Sequence, residues 1–320
     1  MKILAVTRQD ILKRQAGDTI QVLETVDALK RLDVDVDVTN SKITSLEGYD
    51  LVHFFGITRI GSIYKMLLEV EKIQLKNVVS PIFWPGVGKH QSIAMKRRRA
   101  IRNSSLLLPN SEVEANVILN HFGQDFEYKV IPNAVELRSQ FVPETLFFSE
   151  FGFVPDVICV ARIEQRKNQL NLIKSLAKEN VKLVLIGDNY NKRYLNECKE
   201  ASGKNVKFIG RQSRDMVSSA MKLAKVHAMP SFYDTPGLSH LEAGLLGCNL
   251  VCGNCGVEEE YFGEHAIYCN PHSTDSIRGA VMYALEEEKS GELPNIIMNN
   301  YNWGVVAEKT LESYHTVLSM

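Results

Sequence analysis

The chain lacks any apolar run approaching the roughly 18 residues needed to span a bilayer, and Met1-Lys-Ile-Leu-Ala-Val reads as a strand rather than a signal peptide. It also lacks net charge. With 37 Lys and Arg against 38 Asp and Glu the balance is −1, so no global field argues for a nucleic-acid partner. No internal repeat or low-complexity tract occurs. No GxGxxG follows the opening strand of either half, which disfavours an oxidoreductase. Cysteine is sparse, six in all; Cys252-Gly-Asn-Cys255 has CxxC spacing, but no second CxxC or His pair completes a zinc site. Reduced structural thiols are the expectation there. A cytoplasmic enzyme is the class these absences leave.

What is present is an alternation of short apolar runs with helical patterns. At 320 residues, 45% hydrophobic and 23% charged, the chain suits two globular domains of about 150 residues. Strands are expected at Lys2–Thr7, Val34–Val38, Leu51–Phe55, Asn77–Phe83, Leu106–Pro109 and Tyr128–Ile131. Between the first two, Ile20, Leu23, Val26 and Leu29 or Leu32 recur at helical spacing. Ser111-Glu-Val-Glu114 is a capping box. The alternation stops at about Val135–Pro155 and restarts with strands at Val157–Val160, Lys182–Ile186, Val206–Phe208, Val226–Met229, Leu250–Gly253 and Ile267–Cys269. A last helix is expected over about Trp303–Leu318. Such βαβ repetition builds parallel sheets covered on both faces. The fold class is therefore α/β: two facing Rossmann-like domains, 1–140 and 141–302.

Two segments carry chemistry. In Pro230-Ser-Phe-Tyr-Asp-Thr-Pro-Gly-Leu-Ser-His-Leu-Glu, Asp234 stands in a loop and Glu242, eight positions on, in the first turns of a helix. Pro236 suits a first helical position, and Gly237 lets a ligand approach the backbone. A helix start offers free N–H groups to an anion. Two acids beside it suit a ligand with both phosphate and hydroxyl groups, such as a sugar nucleotide. The second segment, Val160-Ala-Arg-Ile-Glu-Gln-Arg-Lys-Asn168, places Arg162 and Lys167 where both can converge on one anion, unless the loop is simply solvated.

Ala161-Arg162…Lys167-Asn, Leu185-Ile-Gly187-Asp, Val206-Lys-Phe-Ile-Gly210, Pro230-Ser…Asp234-x₇-Glu242-Ala, Trp303 before the last helix, and Lys129-Val-Ile-Pro-Asn133-Ala-Val earlier occur in an order that resembles the retaining group 1 glycosyltransferases of the GT-B fold. The resemblance covers about residue 105 to the end and is weaker before it. It implies that Arg162 and Lys167 bind a donor diphosphate, Glu242 the ribose hydroxyls and Asp234 the hydroxyls of the transferred sugar. Gly237, Leu238 and Ser239 would offer backbone N–H groups, and Gly17 would approach the donor phosphate from the first domain. The segment 303–320 would pack back on that domain. No metal and no cofactor are implied. The expected activity is transfer of a hexosyl-type sugar, with retention, from a nucleotide-sugar donor to a glycan or lipid-linked acceptor in bacterial surface-glycan assembly. An epimerase or hydrolase on the same fold, or a non-catalytic nucleotide-sugar-binding subunit, are the alternatives.

The sequence departs from that pattern in three places. Asp234 stands where the family usually has Glu; Trp84, in Ser80-Pro-Ile-Phe-Trp-Pro-Gly-Val-Gly, occupies a region that often carries His; and Gly17-Asp18 replaces Gly-Gly. Other features have plainer readings. Asp33-Val-Asp-Val-Asp37 could mimic an Asp-x-Asp metal site, but strict alternation puts the acids on one strand face. His53 reads as a structural histidine and His240 as packing or surface. The run Lys96, Arg97, Arg98, Arg99, with Arg102 and Lys89, is either a solvated helix face or a patch for anionic lipid at the inner face of a membrane, each basic residue contributing about 1 kcal/mol.

Overall fold

The computed structural model describes residues 1–11, 17–40, 45–84, 91–123, 125–235, 237–289 and 291–320. Pro236, Lys89 and residues 85–88 after Trp84 fall outside these. The chain forms two compact units, Met1–Ala134 with Tyr301–Met320, and Val135–Asn300.

The first unit runs β1 (Lys2–Val6), α1 (Gly17–Arg31), β2 (Asp35–Thr39), β3 (Leu51–Phe55), α2 (Tyr64–Lys72), β4 (Asn77–Ser80), α3 (Gln91–Arg102), β5 (Leu106–Leu107) and α4 (Glu112–Phe122). Its sheet is parallel in the order β2-β1-β3-β4-β5. The strand expected at Tyr128–Ile131 is only an isolated bridge from Tyr128 to Leu107. Pro109 has no N–H to continue the ladder, so β5 ends early and leaves little edge to extend. β4 likewise stops before Pro81. The stripe of α1 differs from the expected one: Val22, Val26 and Leu29 are buried, Leu23 is half-buried and Leu32 is exposed. The helix lies between the sheet and another helix, so Thr25 and Gln21 are buried too.

Ser111 caps α4 by accepting the Glu114 N–H at 2.9 Å, as the capping box requires. The reciprocal half is redirected, because the buried Glu114 carboxylate accepts from Phe83 and Asn110 N–H, both at 2.6 Å. Asp33 is not on the strand; it turns the chain after α1 with φ of 58°. Asp35 and Asp37 do share an exposed face, and Asp37 is engaged by Tyr49 and Lys2.

The second unit runs α5 (Thr145–Phe151), β6 (Val157–Val160), α6 (Gln169–Ser175), β7 (Leu183–Ile186), α7 (Lys192–Glu200), β8 (Val206–Gly210), α8 (Arg214–Leu223), β9 (Val226–Met229), α9 (Leu238–Leu245), β10 (Asn249–Gly253), α10 (Val257–Phe262), β11 (Ile267–Cys269), α11 (Thr274–Glu286) and α12 (Leu293–Asn300). Its six strands are parallel in the order β11-β10-β9-β6-β7-β8. Among the described residues all six cysteines are free, and Cys252 is fully buried.

The final helix, α13 (Trp303–Ser319), belongs to the first unit. Trp303, Val306, Ala307, Tyr314 and Val317 join Ile3, Ala5, Val22, Val26 and Leu29 in one core. A buried polar chain pins it: the Tyr314 hydroxyl meets His53 Nδ1 at 2.6 Å, and His53 Nε2 meets Ser80 Oγ at 2.8 Å. Burial pushes His53 down to about 3, so a neutral ring can donate on one side and accept on the other. His53 is structural. Tyr314→Phe should strand one imidazole nitrogen and destabilise this unit by about 1–3 kcal/mol in chemical denaturation, without altering ligand binding by the other unit.

Candidate active site

In the second sheet the connections run outward in opposite directions from β6 and β9, which lie side by side. A crevice opens at the carboxyl ends of such a strand pair. The loop after β6 carries Arg162 to Asn168; the loop after β9 carries Ser231 to Gly237. Several bonds stitch the two together. Phe232 N–H donates to the Arg166 carbonyl at 3.0 Å. Asn168, in left-handed conformation with φ of 60°, donates its amide to the carbonyls of Pro230 at 2.9 Å and Pro271 at 2.7 Å.

These bonds hold two cations against Asp234. Lys167 Nζ donates to Asp234 Oδ2, and Arg166 donates to Oδ1 at 2.8 Å and to the Tyr233 carbonyl at 3.1 Å. Burial opposes the charge on Asp234, but Lys167 and then Arg166 outweigh it and hold the carboxyl at about 2. Burial lowers Lys167 while Asp234 supports its charge. Asp234 is thus a fixed carboxylate, able only to accept further hydrogen bonds.

Glu164 extends the cluster, accepting from Arg166 at 2.9 Å and from Arg162 at 3.3 Å. Arg162 also lies over the Tyr190 ring, 4.8 Å from its centre, with its side chain partly exposed. Gly187, at the end of β7, packs directly on the Ala161 carbonyl; a Cβ there would approach that oxygen to 2.0 Å. Only glycine lets this loop leave the sheet where it does. Next to it a cavity of about 220 Å³ opens among Ile163, Leu185, Asp188, Phe208, Gly210 and Arg211.

Gly237 precedes α9, with Leu238 and Ser239 opening its first turn. Gly237 is buried, and a Cβ on it would press on the Met229 methyl at 2.5 Å and Asp234 Oδ2 at 3.3 Å. Its lack of side chain therefore serves the seating of Asp234 over the helix start. His240, beneath, is packing: it is fully buried, with Nδ1 3.1 Å from Nδ1 of His227. Burial pushes His240 to about 4 and His227 well below its usual value, so neither adds charge. Glu242, one turn into α9 and half-buried, has no ion-pair partner among the described residues; loss of hydration in the crevice pushes it up to about 7, with Arg214 opposing. Gly17 begins α1 in the first unit.

The structure thus joins Lys167 and Asp234 directly and keeps Arg162 beside them through Glu164. Sequence reasoning missed Arg166, Glu164 and the tie made by Asn168. All three lay inside the loop it singled out, but which of its cations turns inward depends on the single 3-10 turn at Gln165–Lys167.

Residues 150–303 match the glycosyl transferases group 1 family. The match falls almost entirely on the second unit. An uncharacterised glycosyltransferase of Methanocaldococcus jannaschii is 27% identical over 180 residues, 51% of this chain and 45% of that protein. The D-inositol 3-phosphate glycosyltransferase of Pseudarthrobacter chlorophenolicus is 21% identical over 307 residues, 89% of this chain and 71% of the relative. The chain thus spans less than half of the first relative. Anabaena HepE, solved with UDP and glucose, superposes with a TM-score of 0.81 at 17% identity, covering 99% of this chain and 100% of HepE. That likeness establishes the fold, two parallel-sheet α/β units of the GT-B kind.

Two outcomes test the electrostatics of the second unit. Lys167→Ala should destabilise it by about 3 kcal/mol, the low end for breaking a buried pair because Arg166 keeps one oxygen of Asp234; denaturant unfolding of wild type, Lys167→Ala, Asp234→Ala and the double variant reads the coupling. For Glu242 the folded value of about 7 lies above the unfolded one, so its stabilising contribution is complete below about pH 4.3 and is lost as pH rises through 7. Glu242→Gln should raise the thermal midpoint at pH 8.5 and leave it unchanged at pH 4.

Proposed function

We propose that the protein is a metal-independent, retaining glycosyltransferase that moves a hexosyl-type sugar from a nucleotide-sugar donor to a glycan or lipid-linked acceptor. The observation that carries this reading is the cationic cluster at the β6/β9 crevice, inside the segment that matches the family. Breaking a sugar–diphosphate bond leaves negative charge on the diphosphate, and fixed cations stabilise it without a metal. Arg162, the more exposed cation, would meet the diphosphate first, with Arg166 and Lys167 behind it. The anomeric carbon would lose its bond to the leaving oxygen and gain one to the acceptor hydroxyl on the same face. The hydroxyl proton would pass to the leaving phosphate.

Asp234 would accept the sugar hydroxyls, since its ion pairs keep it ionised. As the shorter acid in that place, it would set donor-sugar preference. Glu242 would hold the ribose hydroxyls, the N–H groups of Gly237, Leu238 and Ser239 the donor, and Gly17 the donor phosphate. The cavity beside Gly187 suits a flat base. HepE was solved with UDP and glucose, which makes UDP and UDP-glucose the first probes, with GDP sugars beside them.

A role in surface-glycan assembly and a peripheral membrane contact belong to the same proposal, in changed form. Arg97 is not part of a basic surface: it is buried, donates to the Ile57 carbonyl at 3.0 Å and the Thr58 carbonyl at 2.6 Å, and lies over Phe83. Arg98, Arg99 and Arg102, with Tyr64 and Met95, line an open groove of about 410 Å³, and Lys96 lies over Tyr64. Among the described residues no helix is long and apolar enough to cross a membrane. This groove is where anionic lipid would be met.

Calorimetry with UDP, GDP and their sugars tests the reading: binding to wild type and loss of transfer in Glu242→Ala, with the fold intact, is expected. Full activity of Glu242→Ala would overturn the site, and donor turnover without acceptor would indicate an epimerase or hydrolase instead. In vesicle sedimentation, replacing Arg98, Arg99 and Arg102 by Gln should weaken binding to anionic vesicles at least tenfold, given about 1 kcal/mol per residue. Unchanged sedimentation would remove the membrane contact.

A further inference from the structure

Where β10 passes into α10, Cys255 and Glu258 come up against the Asp234 loop. The Cys255 thiol donates to Glu258 Oε2 at 2.8 Å, and the backbone of Asp234 lies on the side of its sulfur, where it favours the thiolate. The Asp234 backbone, the Cys255 sulfur and the Glu258 carboxyl thus stand in series. Glu258 is fully buried, and its other oxygen, Oε1, has no hydrogen-bond partner among the described residues. The groups facing it are Asp234 and Lys167 from the two site loops, Cys252 of β10, Cys255, and Tyr268 of β11. Burial, reinforced by Asp234, pushes Glu258 up to about 7, and Lys167 only partly opposes this. A buried carboxyl with an idle oxygen and no cation of its own is costly for mere packing.

We propose that Glu258 is a positioning residue of the candidate site, acting through Cys255 on the backbone of Asp234, and that it takes up a proton when an anionic ligand enters. The inference rests on the donor-binding reading above, because a diphosphate brings negative charge to Lys167. Beside Asp234 an ionised Glu258 opposes that charge; a neutral one does not, and its O–H can donate. Ligand affinity then falls as pH rises through about 7, and binding at pH 7 draws about half a proton per site from solvent.

A nucleotide sugar such as UDP-glucose is the probe, because its diphosphate diester does not titrate in this range. Calorimetry at pH 7 in buffers of different ionisation enthalpy should show proton uptake by wild type and none by Glu258→Gln. Wild-type affinity should drop about tenfold between pH 6 and pH 8.5, and that of Glu258→Gln should stay level. The same pH dependence in Glu258→Gln would assign the proton to Glu242 and overturn the proposal. Cys255→Ala should weaken binding several-fold and Cys255→Ser should restore it; equal affinities in all three proteins would break the relay, whether or not Glu258→Gln folds. Iodoacetamide labelling of Cys255, located by mass spectrometry, needs no ligand. It should be several-fold faster in Glu258→Gln, since burial and then the carboxylate hold the thiol up and the substitution removes the second, and an unchanged rate would remove the link. If wild type binds no nucleotide sugar, the functional reading fails, and the labelling result still decides the link.

Discussion

The buried pairing of Lys167 with Asp234 is the contact on which the candidate site depends. It joins two loops that are 67 positions apart in sequence but leave adjacent strands of one sheet. A buried ion pair adds little net stability over a well-packed apolar pair, yet losing one partner is severe. It therefore acts as a registration device: the loops lie where both charges are satisfied. Arg166, Glu164 and Asn168 narrow that choice by taking the remaining oxygens and carbonyls.

The surroundings are consistent with that demand. Gly187 and Gly237 remove side chains where backbone or Asp234 must come close. His227 and His240, kept neutral by burial, fill the floor without disturbing the charge balance above. Arg162 reaches the cluster through Glu164 while stacking on Tyr190, which leaves it the accessible cation. In the first unit the corresponding polar tie is Tyr314–His53–Ser80, and its role is to fix the last helix against the sheet. One polar network holds charge for a ligand, and the other holds neutral groups for the fold.

Most of the architecture was legible because βαβ alternation is a local signal. Val157–Val160 and Ile267–Cys269 carry continuous apolar runs, Val226–Met229 one broken only by His227, and they are strands. The failures share a physical cause. Tyr128–Ile131 has the look of a strand, and its Lys129 and Ile131 N–H groups do bond the Leu107 and Pro109 carbonyls, but Pro109 has no N–H to return and the ladder stays a single bridge. Arg97 sits within a basic run, but the turn of α3 carries it inward to two carbonyls and Phe83, while its neighbours stay outside. Leu23 fits the helical period, yet α13 covers α1 from a side that the period of α1 could not announce.

By itself the sequence determined the parallel α/β class, the two acids flanking a helix start and the basic loop that precedes them. Those features follow from periodicity, from the turn chemistry of Pro and Gly, and from the need of buried charge for opposite charge. Only the tertiary structure decided the pairing. That Asp234 takes Lys167 and Arg166, while Arg162 stays accessible and Glu242 has no ion-pair partner among the described residues, depends on which strands are neighbours and on one tight turn. Likewise Cys255 and Glu258 meet Asp234 only because β9 and β10 lie side by side. Contacts between loops at strand ends are set by strand order, and strand order is not a local property of the chain.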